Sequence, residues 1–401
     1  MKFFLVLGKN KELSLAEAVV LLQKRLNTTS FVLCGEVLMF EAEKPIDFWK
    51  ELGGSIKFGE IVEDIKDTKA IRTDNFFPFL DKEKKNFFGV SFYGEKNLPA
   101  LRFKIGMELK RELENSGYKI RLVTSKEETL SSVVVKTNKL LTRGMEAVII
   151  NCRDAKFCVS TDKQGITYNP ILIGRTLAVQ EFGDYEFRDY GRPKRDTLSG
   201  MIPPKLAKMM INLSGVEKDS IILDPFCGSG TILTEAATMG YKNLIGADLS
   251  ERAVEDSKKN FEWTSKSYKL SAISYNFFQS DVRGLSKKIG EDKVNAIITE
   301  PYLGPPLKGN ESEERIKKIL SELSSLYKDT FESLYKITKA GAMMVIVVPI
   351  IRINNIEYKI NLEVGMWKEE QILFSDKTLK LIWSRPDQKV IREIKIYKKE
   401  A

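Results

Sequence analysis

Apolar residues in the second half of the chain occur in short runs that alternate with longer amphipathic segments. The runs SIILD, NLIGAD, VNAIIT and AMMVIVVP predict buried strands. One helical face is formed by the apolar residues at positions 316, 319, 320, 323, 326, 327, 331 and 334. This alternation is typical of a parallel sheet with helices on both faces. Two further runs, LKLIWS and VIREIKIY, predict an antiparallel hairpin at the edge of the sheet.

The first half of the chain predicts smaller α+β units. The first has a strand at FFLVL, a helix from Ser14 to about Arg25 and a hairpin around Gly35. The second has a strand at FFGVSFYG, a helix at Pro99–Asn115 closed by Gly117, and strands at IRLV, SSVVVK and EAVIINC. The α/β pattern of the second half begins only after both units.

A chain of 401 residues is too long for one small core, so several domains are expected. The predicted division is residues 1–60 and 61–170 for the two α+β domains, 171–205 for a linker and 206–401 for the α/β domain. The linker carries the aromatic and basic stretch EFGDYEFRDYGRPKRDTLSG. Because aromatic residues are scarce in flexible linkers, this segment is expected to lie against its neighbours.

Composition narrows the possible chemistry. Apolar residues make up 43% and charged residues 30%, which is typical of a soluble globular protein. The net charge of +9 favours a polyanionic partner without requiring one. The four cysteines show no C-x-x-C spacing and the chain has no histidine, so we expect a cytoplasmic location, no metal, no disulfide framework and no histidine-dependent catalysis. We also expect no membrane span, because the longest apolar run, AGAMMVIVVPII, is too short.

The segment LDPFCGSGTI predicts a ligand site. Asp224 ends a strand, Gly228 and Gly230 follow in a turn before a helix, and Asp248 ends the next strand. A dinucleotide site requires a third glycine where Leu233 stands, and the carboxylate of Asp224 would repel a pyrophosphate. These features favour a ligand that carries a cationic amine and no phosphate.

S-adenosylmethionine is such a ligand. Asp248 is expected to accept the ribose hydroxyls, and Asp281, after the third strand, the amino hydrogens of the adenine. The predicted cofactor-binding residues are Asp224, Pro225, Phe226, Cys227, Gly228, Gly230, Thr231, Asp248, Leu249, Asp281 and Val282. Because Cys227 lies inside this turn, a role as a nucleophile is not favoured.

The stretch IITEPYLGPPLKG ends the fourth strand of this half, and one interpretation is a loop that grips a flat base carrying an amino group; the alternative is ordinary turn chemistry at a strand end. The amino group of such a base is a poor nucleophile. Hydrogen bonds from its N–H groups to Glu300 and to a backbone carbonyl would hold the nitrogen and stabilise the charge that develops on it. Pro301 would fix that carbonyl, and Tyr302 would stack on the base. These three residues are the predicted catalytic set. The alternative for Tyr302 is packing under its own loop.

The C-terminal half resembles a Rossmann-fold methyltransferase that uses S-adenosylmethionine. The segments RDYGRPKRDTLSGMIPPKLAKMMINLSG and LVLGKNKELSLAEA resemble THUMP-domain tRNA guanine-N2-methyltransferases. The resemblance implies an N-terminal ferredoxin-like domain and a THUMP domain that hold the acceptor end of tRNA, and methylation of a guanosine at N2. In that family the fourth strand usually ends in Asp or Asn followed by Pro-Pro-Tyr or Pro-Pro-Phe. Here the second proline is missing from Glu300-Pro301-Tyr302.

Basic residues outnumber acidic residues by 11 to 5 between positions 96 and 143. Together with the linker they provide candidate phosphate contacts, which are Lys136, Lys139, Arg143, Arg192, Lys194 and Arg195. Each is equally compatible with an ordinary surface charge. A DNA or ribosomal RNA amino-methyltransferase, or a non-catalytic tRNA-binding protein, stays open as an alternative. The sequence leaves the modified nucleotide, the number of methyl groups, the oligomeric state and any activating protein partner undetermined.

Overall fold

The residues that the structure describes form two large sheets, each with nine strands, and helices pack against both. The computed structural model describes residues 1–66, 71–72, 74, 76–94, 99–127, 129–152, 158–161, 171–195, 201–386 and 388–400. Over these ranges, no helix is both long enough and apolar enough to cross a lipid bilayer.

The N-terminal sheet contains the first nine strands. They are β1 Lys2–Leu7, β2 Phe31–Cys34, β3 Val37–Glu41, β4 Ser55–Ile65, β5 Lys85–Gly94, β6 Lys119–Val123, β7 Gly144–Asn151, β8 Cys158–Ser160 and β9 Ile171–Val179. The helices of this half are α1 Lys11–Leu26, α2 Pro99–Asn115 and α3 Ser132–Thr137. In space the strands follow the order β6-β5-β7-β9-β4-β1-β3-β2-β8. The predicted hairpin around Gly35 and the predicted helix α2 are both confirmed.

The two predicted α+β units share this one sheet. The boundary expected at 60/61 falls inside β4, which pairs with β1 on one side and β9 on the other. The linker was expected to start at 171, but its first nine residues are β9, which lies between β4 and β7. The segment is rich in apolar and β-branched residues and pairs with β4 along one edge and with β7 along the other, which explains why it is strand. The part of the linker at 196–200 lies outside the described residues.

Two helices differ from the sequence prediction. Helix α1 begins at Lys11, three residues before the predicted cap Ser14. The backbone N–H and the hydroxyl of Ser14 both donate to the carbonyl of Asn10 at 2.9 Å, so Ser14 lies inside the first turn and does not cap it. SSVVVK was predicted as a strand, and this prediction is wrong, since the segment forms α3. The side chain of Ser131 caps this helix by accepting from the backbone N–H of Val134 at 3.3 Å. The cap outweighs the β preference of three valines.

The second sheet has the predicted α/β pattern. Its strands are β10 Ile221–Asp224, β11 Asn243–Asp248, β12 Ser274–Gln279, β13 Val294–Thr299, β14 Thr338–Ile353, β15 Ile356–Lys359, β16 Trp367–Glu370, β19 Ile382–Trp383 and β20 Val390–Lys399, and a separate pair is formed by β17 Leu373–Phe374 and β18 Lys377–Thr378. The helices are α4 Phe182–Tyr190, α5 Pro204–Leu213, α6 Thr231–Thr238, α7 Glu251–Ser267, α8 Leu285–Ile289 and α9 Glu313–Ile337.

The strand order β12-β11-β10-β13-β14-β20-β16 reverses direction between β10 and β13. The first five strands are parallel, and β20 runs antiparallel to β14. At such a reversal the loops after neighbouring strands separate and leave a crevice at their carboxyl ends. The predicted C-terminal hairpin is present as β19 and β20, but β20 lies inside the sheet, between β14 and β16.

The two halves pack through a common core in which α1 lies against α5. At its centre the buried carboxylate of Glu17 accepts hydrogen bonds of 2.7 Å from the backbone N–H groups of Gly53 and Gly54 and from Nδ2 of Asn212. Burial raises the pKa of Glu17 to about 7. A Cβ on Gly53 would lie 2.4 Å from the carbonyl oxygen of Lys205, so the close approach requires glycine. These contacts fix the N-terminal half relative to the crevice.

Candidate active site

The turn between β10 and α6 brings backbone to the crevice. Gly228 and Gly230 have φ angles of +50° and +83°, a region that favours glycine. A Cβ on Gly230 would also lie 3.1 Å from the hydroxyl of Ser257 in α7, whereas a Cβ on Gly228 would meet no heavy atom within 4 Å. The turn therefore packs against α7 on one side and presents bare backbone on the other.

Asp224 lies at the base of this turn with 2% of its surface exposed. Its Oδ1 accepts a hydrogen bond of 2.7 Å from the hydroxyl of Thr299 and one of 3.2 Å from the N–H of Phe226. Burial, and to a smaller extent the charges of Asp248 and Glu300, raise the pKa of Asp224 to about 7, against the lowering effect of the two hydrogen bonds. A buried carboxylate near two other acids favours a cationic ligand, such as the amine of S-adenosylmethionine.

Asp248 ends β11 beside the same turn. Its Oδ2 accepts from the N–H of Gly228 and its Oδ1 from the N–H of Ser250, both at 2.9 Å. The carboxylate thus fixes the turn, and each oxygen keeps a second acceptor position for a ligand hydroxyl. Leu249, the next residue, has 67% of its surface exposed and offers an apolar face at the rim.

The structure gives Asp281 a different setting from the other two acids. Its Oδ1 accepts from Nε of Arg283 at 2.9 Å and its Oδ2 from Nη2 at 2.6 Å. These hydrogen bonds lower the pKa of Asp281 to about 2. An adenine amino group would have to share the carboxylate with Arg283. The neighbouring Val282 is buried in the core beneath α9, so its side chain is not presented to a ligand.

The remaining predicted cofactor residues mostly support the turn. Pro225 and Cys227 are buried and Phe226 is half-buried. Burial raises the pKa of the Cys227 thiol well above its usual range, which disfavours a nucleophilic role. The hydroxyl of Ser257 donates to the carbonyl of Gly228 at 2.7 Å, adding a second contact between α7 and the turn.

The linker is fastened to the cofactor turn by residues that the sequence analysis missed or misassigned. Arg192 was predicted to contact RNA, but it is buried and its Nη1 donates to the hydroxyl of Thr231 at 2.7 Å. Asn260 donates from Nδ2 to the carbonyls of Lys194, at 3.0 Å, and Ser229, at 2.8 Å. It also accepts from the N–H of Lys194 at 2.9 Å. The only sequence signal for Asn260 is a polar residue on the inner face of an amphipathic helix.

The other predicted RNA contacts lie at or near the surface. Lys194 is half-buried, and the exposed ones are Lys136, Lys139, Arg143 and Arg195. Lys136 is ion-paired with Glu181. Two guanidinium groups stack on rings, Arg143 at 5.6 Å from the ring centre of Phe87 and Arg195 at 4.8 Å from that of Tyr190. Lys136, Arg143 and Arg195 therefore already have partners with which a phosphate would have to compete.

The loop after β13 holds the predicted catalytic residues. Thr299 is fully buried and, through Asp224, connects the end of β13 to the cofactor turn. Pro301 is buried, and Tyr302 has 56% of its surface exposed, which is the arrangement expected for a stacking residue rather than for one packed under its loop. Gly304 turns the chain with a φ of +101°.

Glu300 is held by a residue that the sequence did not suggest. Nε of Arg392 donates to its Oε2 at 2.6 Å, and Nη2 donates to its Oε1 at 3.0 Å. Arg392 lies in β20, opposite Pro349 of β14, and reaches the end of β13 across that strand. The two side chains are 11% and 14% exposed, Arg392 and Glu300 respectively. The loop's carboxylate is therefore one half of a bidentate ion pair.

Comparisons with known proteins agree with this geometry. A family model described as RMKL-like, methyltransferase domain, matches residues 192–352, and one described as DNA methylase matches residues 103–259. The probable tRNA (guanine(10)-N2)-dimethyltransferase of Methanothermococcus thermolithotrophicus is 35% identical over 129 residues, which cover 31% of this chain and 74% of that protein. The chain belongs to the tRNA guanine-N2-methyltransferase family. S-adenosylmethionine is the methyl donor that the family and the fold imply.

Other members of the family match only in part. The tRNA (guanine(10)-N2)-dimethyltransferase of Methanothermobacter thermautotrophicus is 31% identical over 53% of this chain and 58% of its own length. That of Methanocaldococcus jannaschii is 30% identical over 43% of this chain and 49% of its own length. The chain thus spans about half the length of these two relatives. The crystal structure of TrmN from Thermus thermophilus aligns over 100% of both chains with a TM-score of 0.54 at 13% identity, which shows a common fold.

Proposed function

We propose that the protein transfers a methyl group from S-adenosylmethionine to the N2 amine of a guanosine in tRNA. The observation that carries the proposal is the 2.7 Å hydrogen bond from Thr299 to Asp224. This bond joins the end of β13 to the cofactor turn. Glu300, the first residue of the Glu300-Pro301-Tyr302 loop, directly follows Thr299 and therefore lies close to Asp224, the acid that would meet the ligand's amine. The names of the family members supply the choice of guanine and of tRNA.

The cofactor would be held by the three features of the turn already described. Asp224 would face the ligand's amine, Asp248 its ribose hydroxyls, and the backbone at Gly228 would allow close approach. When bound, S-adenosylmethionine supplies a methyl group on a sulfonium, which needs no metal or redox partner. The donor set fits such a ligand because it combines a buried anion with hydroxyl acceptors and lacks a phosphate-binding third glycine.

Residues of the opposite loop would prepare the acceptor. Glu300 would accept a hydrogen bond from the guanine amine and so keep the nitrogen oriented toward the donor. The backbone carbonyl fixed by Pro301 would accept the second N–H, and Tyr302 would stack on the extruded base. As positive charge develops on nitrogen, the two acceptors stabilise it, and Glu300 or water then removes the proton.

The N-terminal half is proposed to hold the tRNA. We assign it a ferredoxin-like domain at 1–60 and a THUMP domain at 61–170, which would meet inside β4 of one continuous sheet and together bind the acceptor end. The exposed cations Lys139, Arg143 and Arg195 would contact phosphates and position the RNA without reading its sequence. Because this half is fixed to the catalytic half at Glu17, the distance from the bound acceptor end of the tRNA to the crevice would be constant. A cytoplasmic location is part of the proposal.

The test is incubation of undermodified tRNA with S-adenosylmethionine labelled in its methyl group, followed by nucleoside analysis. The proposal expects label in N2-methylguanosine or N2,N2-dimethylguanosine. Label in adenosine or cytidine, or only in DNA, would overturn the substrate. DNA is the second candidate because the DNA methylase model covers the cofactor turn, although its match at 103–259 stops before the Glu300 loop. Binding of tRNA without any transfer would indicate a non-catalytic protein.

A further inference from the structure

We propose that Arg392 is a specificity residue, which reads O6 of the target guanine while its partner Glu300 reads N1–H and the N2 amine. This inference rests on the proposed function, since it concerns the same crevice and the same base. It adds a residue from β20, a strand that carries no part of the methyltransferase motifs in the sequence.

The ion pair leaves hydrogen-bonding capacity unused. An arginine has five N–H groups, and Arg392 directs one from Nε and one from Nη2 at Glu300, so three N–H groups point elsewhere. Each oxygen of the Glu300 carboxylate receives one of these bonds and can accept another. On the side of Nη2, the pair therefore presents an outward N–H donor next to the free acceptor position of Oε1, in a rigid planar arrangement.

The Watson–Crick edge of guanine has the complementary pattern. It carries an acceptor at O6, followed by donors at N1 and at the N2 amine, so a donor beside an acceptor oxygen matches O6 and the N–H groups next to it. In the same orientation adenine presents the reverse order, a donor at N6 beside an acceptor at N1, and both contacts would be lost.

The position of the pair agrees with a role in recognition. Glu300 directly follows Thr299, which is bonded to Asp224, so the carboxylate lies beside the cofactor turn. Both partners are mostly but not fully buried, at 14% and 11% exposure. A second arginine–glutamate pair on the same sheet, Arg352 with Glu357, uses only one carboxylate oxygen, since Nε and Nη2 both donate to Oε1, and its side chains are 38% and 42% exposed. That pair joins β14 to β15 across a hairpin and provides a natural control.

The experiment compares two acceptor bases at the guanosine that the wild-type protein methylates, mapped beforehand. One tRNA carries guanine there, and the other carries 2-aminopurine, which retains the 2-amine but lacks O6 and N1–H. The wild-type protein is expected to prefer guanine in kcat/KM by about 10- to 100-fold. Arg392→Met, which keeps the aliphatic stem, is expected to reduce this preference by about tenfold. Arg352→Met is expected to keep the wild-type preference.

Three outcomes separate the inference from the proposed function. If Arg392→Met methylates guanine with the wild-type preference, Arg392 does not read O6 and the inference is overturned. If Arg392→Met shows no turnover, competition binding replaces the assay, with inosine and unsubstituted purine at the target position. A smaller inosine advantage in Arg392→Met than in the wild-type protein then supports the inference, because only the O6 contact is lost, and an unchanged advantage overturns it. If the wild-type protein labels no guanosine, the proposed function itself fails, independently of any variant.

Discussion

The two sides of the crevice are built in different ways. On the cofactor side, Asp248 holds the N–H of Gly228, a residue only 20 positions earlier, and α7 closes the turn through Ser257. On the acceptor side, Glu300 is held by Arg392, 92 positions away, in a strand that runs against the parallel sheet. One side is a local motif with its support nearby, whereas the other is assembled from distant segments.

This difference has a functional meaning. The cofactor side can be identical in any enzyme that uses the same methyl donor, because its contacts are to a constant ligand. In the proposed function the acceptor side would decide which amine is methylated, so a change there would alter the substrate and leave the cofactor site intact. The shortened Glu-Pro-Tyr loop and its arginine partner lie on that side. Variants on the two sides should therefore affect different kinetic constants.

The largest effect is expected for Glu300→Ala. Removing the acceptor of the amine N–H should lower kcat for methyl transfer by about 100- to 1000-fold, because the group acts on charge that develops in the transition state. Binding of S-adenosylmethionine, measured by calorimetry, should change little. The matched control is Glu357→Ala, which removes the carboxylate of the exposed Arg352 pair. Wild-type turnover in Glu300→Ala would place the chemistry elsewhere.

The next effect is expected for Asp224→Asn, which should weaken binding of S-adenosylmethionine by about 30-fold or more, since a buried charged partner is lost. The raised pKa of about 7 gives a second signature. The carboxylate must be ionised to meet a cationic amine, so wild-type affinity should increase between roughly pH 6 and 7.5. Asp224→Asn should show no such increase. The same pH profile in both proteins would contradict the assigned role.

The Asn260→Ala variant is expected to have a KM for S-adenosylmethionine that is about tenfold higher. Its side chain holds the carbonyl of Ser229 in the turn and the backbone of Lys194 in the linker. Losing hydrogen bonds worth about 1 kcal/mol each should raise KM for S-adenosylmethionine by about tenfold. The affinity for tRNA should stay at the wild-type value. Asn243→Ala, which breaks an exposed bond of 2.6 Å to the carbonyl of Asp219, is the control.

Stability should respond to pH through Asp224. Its pKa is raised from 3.8 to about 7 in the folded protein, so between these values the folded state holds a proton that the unfolded state has lost. Stability therefore falls as pH rises through this window. Without cofactor, Asp224→Asn should melt ~3 °C above the wild-type protein at pH 8, with a smaller advantage at pH 5. Glu17 titrates equally in both proteins and cancels. An equal or larger advantage at pH 5 would contradict the assignment.

The smallest effect is expected for single surface cations. Lys139→Ala and Arg143→Ala should each weaken tRNA binding and reduce the slope of log affinity against log salt by about 0.7 to 0.9. Lys368→Ala, which removes an exposed cation paired with Glu400, should leave the slope unchanged. Equal slopes in the wild-type protein and all three variants would show that Lys139 and Arg143 do not contact the RNA.

Physical locality explains how much the sequence predicts. The glycine turn, the acids Asp224 and Asp248 and the parallel strands follow from apolar runs and from turn residues at fixed offsets. The partners Arg392 and Asn260 have no such signal, because contacts across strands or between helix and loop depend on the assembled fold. The interpretation of Arg192 fails for the same reason, since a cation in a basic linker gives no indication that its guanidinium faces inward.

The N-terminal half shows the same limit. Pairing of β4 with both β1 and β9 joins two units that the chain pattern separates, and only the register of distant strands reveals it. The α3 segment shows a local limit instead, because one capping serine outweighs the β preference of its valines.

The most direct measurement replaces guanosine with inosine at the mapped position of an otherwise identical tRNA. Inosine lacks only the N2 amine, so the RNA should still bind while methyl transfer from S-adenosylmethionine falls to background. Transfer to the inosine-containing tRNA at the wild-type rate would contradict methylation of a guanine amine by this site.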